Sequence, residues 1–427
     1  MDRNKPTVKA VGDLSRKITS SVIASFEVTD LLPRLVDRSL VNYDEATGRY
    51  SLLETVRQYA QEITIDSGDS GQTRERHLDY YSDFLSGMRT RLRGPDQLMW
   101  LERLDAEFDN IRSAFEWSIA SDDHWSTALK FARNLTDYWM IRGLLIEATN
   151  WMRQLEMRRS GMNASQTAIL LAVGGQIRAY RGNVDIEKSE EAVAYARESK
   201  DEAVLGLSLS NLIADYISQD RALEAEKLAP EATRLLANSQ DHVNEGRVWM
   251  QLGNAAFTRG DLDTAEKHYH KCLELRRRSG DLRGTGSVLG SLGDVYERRG
   301  DAEAAHKHLR MAIGAFMSVR SLWDLAGGLP SLCAELLQTG RPNEAAEVLG
   351  CADALLASLG AARDSADTDI YERWVRDVRA AMGPDKFKEF YLRGRSTPFE
   401  AVIRNAFPDG LDELDLSENV PFPRPVQ

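Results

Sequence analysis

Small and apolar residues return every forty positions through the second half of this chain. Ala225, Ala265, Ala305 and Ala345 are all alanine, and Leu212, Leu252, Leu292 and Leu332 each lie thirteen positions before one of them. Each period divides into two helices. The first runs from a small residue (Gly206, Gly246, Gly286, Ala326) through the leucine to Tyr216, Ala256, Tyr296 or Leu336. A turn follows at Asp220, Gly260, Gly300 or Gly340, where glycine suits a residue forced into the left-handed region. The second helix carries the alanine, then a bulkier residue at Tyr269, Leu309 or Leu349, then a small one at Ala232, Cys272, Ala312 or Ala352. Small residues on one face let two helices approach closely. Asp201, Asp241 and Asp281 stand where the next first helix needs an N-cap. Stacked helix pairs predict a solenoid, which builds a binding surface rather than a catalytic pocket.

A degenerate copy runs from Val173-Gly174 through Arg181-Gly182-Asn183 to Ala192, and a further one is expected at Leu135 to Leu155. The run Leu252-Gly253, Gly260-Asp261, Ala265, Tyr269, Cys272 resembles the tetratricopeptide repeat. The period here exceeds that family's usual length of about thirty-four, which implies helices lengthened by part of a turn. The resemblance implies that an extended peptide lies along the concave face. Mapping the family register onto this chain selects Asn211, Asn254, Asp294 and Arg298 as partner-binding residues. Asn254 falls where that family often places a backbone-clamping asparagine, a group that both donates and accepts.

Upstream, the pattern changes. Leu31, Leu32, Leu35, Val36 and Leu40 share one helical face over Val28 to Leu40. Short runs at Val41 to Tyr43 and Tyr50 to Leu53 flank a turn at Gly48, and another helix is expected from about Glu54. Helix, two-stranded wing, helix is the outline of a winged-helix module. Residues 1–65 hold nine Lys or Arg and nine Asp or Glu, so the basic footprint of a DNA-binding surface is missing. Arg34 and Arg38 are the only cations on the helix that would enter a groove.

Two further segments make a second resemblance. Leu35-Val36-Asp37-Arg38-Ser39-Leu40-Val41 with Tyr50-Ser51-Leu52-Leu53-Glu54-Thr55-Val56-Arg57-Gln58-Tyr59-Ala60 is similar to the winged-helix segment of bacterial signal-transduction ATPases of the AfsR and LuxR regulator class (STAND proteins). Leu92-Arg93-Gly94-Pro95-Asp96-Gln97 and Trp100 to Arg112 resemble the stretch joining winged helix to repeats there, as does Tyr371 to Phe407 the C-terminal part. In that family a nucleotide-binding domain precedes the winged helix. No Gly-Lys dipeptide occurs in this sequence, so no phosphate-cradling loop of the Walker kind is present. Leu52-Leu53-Glu54 stands where related switches carry Met-His-Asp. The resemblance therefore implies the regulatory and sensing half of such a protein, with an ATPase or effector supplied separately.

Composition adds limits. The chain has 427 residues, is 42% hydrophobic and carries a formal charge of −12, which favours basic or apolar partners and makes DNA a poor one. No apolar run approaches the roughly 18 residues of a membrane span, and the N-terminus carries no secretory pattern. Cys272, Cys333 and Cys351 fall mostly at small-residue repeat positions, as expected of buried thiols in a reducing cytoplasm.

The remaining candidates for chemistry are weak. Gly284-Thr285-Gly286-Ser287-Val288-Leu289-Gly290 approaches a dinucleotide fingerprint, but no strand precedes it. His268 and Cys272 have the spacing of half a zinc site, yet Cys272 occupies a core column. Asp66 to Gly71 lacks the calcium-loop spacing and reads as linker. Trp100, Trp117, Trp125, Trp139 and Trp151 are expected to wedge long helices rather than stack on bases. No nucleophile-base signature is evident locally. The expectation is a non-catalytic protein without cofactor or metal. Its fold is all-α, a tetratricopeptide-like solenoid with a small α+β winged-helix module. The predicted divisions are a winged-helix region over 1–65, connecting helices over 66–125, repeats and capping helices over 126–407, and an acidic tail, expected to be disordered, over 408–427. The alternative is a stand-alone DNA-binding regulator.

Overall fold

The computed structural model describes residues 25–45, 48–53, 55–56, 58–60, 70–359, 363, 365–408 and 410. Asp66 to Asp69 of the expected linker, and residues 411–427 of the expected tail, lie outside them. The chain divides into two compact units, residues 1–88 with 99–135 and residues 89–98 with 136–427.

In the first unit, helix α1 (Ser25–Asp37) is followed by strands β1 (Val41–Asp44) and β2 (Arg49–Leu52), and residues 55–56 and 58–60 are helical again. The strands pair antiparallel with Tyr43 opposite Tyr50, the two rings 4.8 Å apart, and Gly48 takes φ +64 at the turn. Helices α2 (Ser70–Leu85), α3 (Met88–Arg91) and α4 (Gln97–Ala120) come next. Arg49 ties the hairpin to α4, donating to Glu107 at 3.1 Å and to the Ala106 carbonyl at 2.6 Å. Glu107 also accepts from the Tyr81 hydroxyl at 2.7 Å. Arg49 and Glu107 are both 5% exposed, so the hairpin's guanidinium is a structural group.

The second unit is a tetratricopeptide-like solenoid. It contains the end of α5 (Trp125–Arg142), then α6 (Leu145–Glu156), α7 (Ala164–Tyr180) and α8 (Ile186–Ser199). Four forty-residue units follow: α9 (Glu202–Ser218) with α10 (Ala222–Asn238), α11 (His242–Thr258) with α12 (Leu262–Ser279), α13 (Leu282–Arg299) with α14 (Ala302–Val319), and a last one closed by α17 (Pro342–Leu359). The repeat register predicts these environments well. Ala225, Ala265 and Ala345 are fully buried and Ala305 nearly so. Ala232, Cys272, Ala312 and Ala352 line the same kind of helix contact. Asp220, Gly260, Gly300 and Gly340 all have positive φ, between 56° and 80°. Asp201, Asp241 and Asp281 accept from the backbone N–H three residues on, as caps do.

One element departs from the register. Ala326 to Leu336 was expected to be one helix; it is instead α15 (Leu322–Gly328), a 3-10 turn (Leu329–Leu332) and α16 (Cys333–Gln338). Pro330 lacks the N–H that would continue the ladder, and Gly327-Gly328 before it holds helix weakly. The near-fingerprint at 284–290 lies inside α13 and is helical.

Helices α18 (Ser365–Met382), α19 (Pro384–Ser396) and α20 (Phe399–Ala406) complete the unit. Helix α19 crosses α17 at backbone distance. A β-carbon on Gly394 would overlap the Glu347 carbonyl, and one on Gly350 the Tyr391 carbonyl. The coil also closes across its own turns, because Arg142 donates to the Val319 carbonyl at 2.7 Å and Arg283 to the Tyr180 hydroxyl at 2.7 Å.

Among the described residues no helix is long and apolar enough to cross a membrane. All three cysteines are free and buried, Cys272 and Cys333 completely. Burial pushes each thiol up, Cys351 to about 12, so none is a ready nucleophile or ligand.

Candidate binding surfaces of the repeat unit

The four residues selected from the sequence fall into two places. Asn211 is 3% exposed; it donates to the Ala172 carbonyl at 2.9 Å and accepts from Arg247 at 2.5 Å. It is therefore an internal brace rather than an open contact residue, because the coil curls over it. Asn254, Asp294 and Arg298 gather instead around the buried hydroxyl of Tyr269. That hydroxyl donates to Asn254 Oδ1 at 2.9 Å. Burial pushes the Tyr269 phenol up and Asp294 adds to this, while Ser291 and Arg298 work the other way. Arg298 lies on the Phe257 ring at 3.9 Å and donates to its carbonyl at 3.0 Å. Asp294 and Arg298 are exposed and Asn254 is half-buried.

Next to Asp294 a groove of about 420 Å³ runs between α13, α14 and α16. Its floor is small, with Gly290, Gly293, Ala305 and Ala334, and its sides are Leu309, Leu337 and Trp374. The register's small columns make this floor, since side chains that let helices approach also leave space above them. Trp374 is 8% exposed, and its indole N–H has no acceptor among the described residues. Glu297 stands on the rim, 3.6 Å from Arg373, whose guanidinium lies 4.6 Å from the Trp374 ring.

A second cavity was not anticipated. Residues 89–98 lie within the second unit, and Arg93 reaches two acids far along the chain, Asp137 at 2.6 Å and Asp241 at 3.2 Å. Gln97 accepts from the Arg283 backbone N–H at 3.3 Å, and a β-carbon on Gly280 would lie 2.6 Å from Pro95 N. Arg276 holds Asp281 at 2.6 Å and Arg283 holds Asp324 at 2.5 Å. The chamber these groups surround also meets Gln176, Tyr180, Asn244 and Arg247 and offers about 60 Å³. Asp241 and Asp281 thus cap helices and also fix residues 89–98, Asp281 by accepting from Gln97 at 3.3 Å. Sequence reading found the motif at 92–97 but not its seat, because only folding brings Arg93 and Asp241 together. A cluster signal did exist: Arg276-Arg277-Arg278 and Arg283 flank one repeat junction.

Electrostatics around the chamber are set by burial. Burial opposes ionisation of Asp241, but Arg93, Arg89 and the Asn244 N–H hold its carboxyl at about 2. Arg247 is pushed down by burial, with Arg276 and Arg93 adding to this against Tyr180 and Asp215. Asp215 is pushed up by burial despite the Ser189 hydroxyl, which donates to it at 2.5 Å.

The other candidates resolve into packing. His268 lies against Trp249, ring centres 5.3 Å apart, and burial lowers its pKa. Trp139 and Trp151 are buried edge to face at 5.2 Å, and Trp117 stacks on His124. Among the described residues no three His, Cys, Asp or Glu side chains converge as a metal site would require.

Comparison with known proteins gives three findings. Residues 244–318 match the tetratricopeptide repeat family. The chain is 32% identical over 271 residues, 60% of its length, to "Putative HTH-type transcriptional regulator Rv0890c" of Mycobacterium tuberculosis, and equally to Mb0914c of Mycobacterium bovis. It spans 30% of the length of these curated relatives. Among solved structures it is similar to a Signal Transduction ATPase with Numerous Domains protein with a tetratricopeptide repeat sensor, PH0952 of Pyrococcus horikoshii. That match has a TM-score of 0.41, 14% identity, and coverage of 94% of this chain and 62% of the other. BtubC from P. vanneervenii matches 52% of this chain and 92% of its own, at TM-score 0.38 and 17% identity.

Proposed function

We propose that this chain is the non-catalytic sensing part of a bacterial transcriptional or signalling regulator of the AfsR and LuxR-type ATPase class, and that its repeats bind a peptide or protein partner. The observation carrying this reading is the groove between α13 and α16. It joins an apolar wall at Leu337 and Trp374 to an acidic rim at Asp294 and Glu297. Apolar side chains of an extended peptide would meet the wall, and a basic side chain would meet the rim. Asn254 and Arg298 extend the polar surface around Tyr269. Asn211 serves the array by bracing Arg247. The tetratricopeptide match at 244–318 and the similarity to the mycobacterial HTH-type regulators support the setting. A nucleotide-binding or effector domain would act from elsewhere in the regulator, in the cytoplasm.

Panning a random peptide library on the purified chain tests the reading. Enriched peptides are expected to be basic, and Asp294→Lys is expected to weaken them about tenfold, or about 1.4 kcal/mol. Equal affinity for wild type and variant would refute the groove.

The second reading, duplex DNA binding through α1 and the β1–β2 wing, is favoured by the regulators' names alone. Arg34 and Arg38 are exposed there, but so is Asp37 between them, and Arg49 is used internally. Binding that strengthens as salt is lowered would establish it.

A further inference from the structure

The charged chamber serves no step of that reading. Its lining carries four guanidiniums, Arg93, Arg247, Arg276 and Arg283, against two carboxylates, Asp137 and Asp281. Arg93 is paired with Asp137 and Asp241, Arg276 with Asp281, and Arg283 with Asp324. Arg247 differs. Its hydrogen bond goes to the neutral Asn211 amide, which leaves donors of a five-donor group to be met. Among the described residues no carboxylate lies within ion-pair distance of Arg247, and a cavity-lining charge without such a partner favours an anion beside it. Tyr180 accepts from Arg283, so its own hydroxyl proton is available to a guest. Space sets the size of that guest. At about 60 Å³ the chamber holds about two waters at the roughly 30 Å³ each takes in the liquid, or one anion of about four or five non-hydrogen atoms. A peptide does not fit.

We infer that this chamber is a binding site for a small oxyanion, a phosphate or a short carboxylate, held chiefly by Arg247 with Arg276, Arg283 and Tyr180 around it. Guanidinium recognises either anion through paired N–H donors. Because Arg93 and Gln97 of residues 89–98 form part of the wall, occupancy also fastens that segment in place. The site is separate from the groove and goes beyond the partner-binding reading.

The test uses the full chain. Thermal unfolding is followed against inorganic phosphate and, separately, acetate, each compared with sodium chloride at the same ionic strength. Hydrogen exchange of residues 89–98 is read in the same buffers. The expected result is a saturable rise of the melting midpoint with phosphate or acetate, slower exchange at 89–98, and loss of both effects in Arg247→Gln. In anion-free buffer Arg247→Gln should melt somewhat lower than wild type, because the buried Asn211 amide oxygen loses its donor. Should that variant fail to fold, Arg247→Lys is expected to keep a weakened shift. A phosphate response without an acetate response assigns the phosphate class, and the reverse assigns the carboxylate. No shift beyond chloride, or a full shift retained in Arg247→Gln, overturns the site. Peptide binding by Arg247→Gln remains as in wild type if only the chamber inference fails.

Discussion

Gly260 and Gly394 are both glycine for reasons of space and backbone, but the reasons differ. Gly260 sits at φ +80 with nothing near its absent side chain, so Gly260→Ala pays only for the left-handed conformation, about 1 kcal/mol. Gly394 faces the Glu347 backbone of the helix it crosses. Gly394→Ala must push two helices apart and is expected to cost about 1–3 kcal/mol or more. Urea denaturation of the two variants measures the difference, and equal losses would contradict the crossing geometry. The turn glycines were legible because they recur with the period. Gly394 lies within the Tyr371 to Phe407 segment but carries no local signal of its own, since its partner lies in another helix whose approach no local pattern encodes.

Caps behave alike in sequence and unlike in the folded unit. Asp261 accepts from the Thr264 N–H and is otherwise solvated, so Asp261→Ala is expected to cost about 1 kcal/mol. Asp241 caps α11 in the same way but also receives Arg93 and lies 3.8 Å from Arg89. Removing it takes away one of the two carboxylates that hold Arg93, Asp137 keeping the other, so Asp241→Ala should cost about 1–3 kcal/mol. The same group makes a pH prediction. Its carboxyl is held at about 2, below the ordinary 3.8, so its contribution is complete above about pH 4 and is lost as pH falls toward 2. Melting midpoints between pH 5 and 2 should drop less steeply in Asp241→Asn than in wild type; parallel curves would contradict the assignment. Helix starts were readable from Asp201, Asp241 and Asp281, whereas the break at Pro330 was missed because repeat register was weighted above proline's missing donor.

At the scale of the whole molecule, periodicity revealed that helix pairs stack in order, and each alanine column is buried as that requires. It did not reveal that Arg283 reaches Tyr180 or that residues 89–98 join the second unit through Arg93 and Asp241, because those contacts join positions over a hundred residues apart. On the proposed reading the partner lies in the groove by Asp294 and Trp374. Hydrogen exchange of the full chain, with and without a peptide selected on it, tests this most directly. The account predicts slowed exchange in residues 290–299 and 331–338 with little change in residues 25–60. Protection confined to 25–60, produced by duplex DNA and by no peptide, would contradict it.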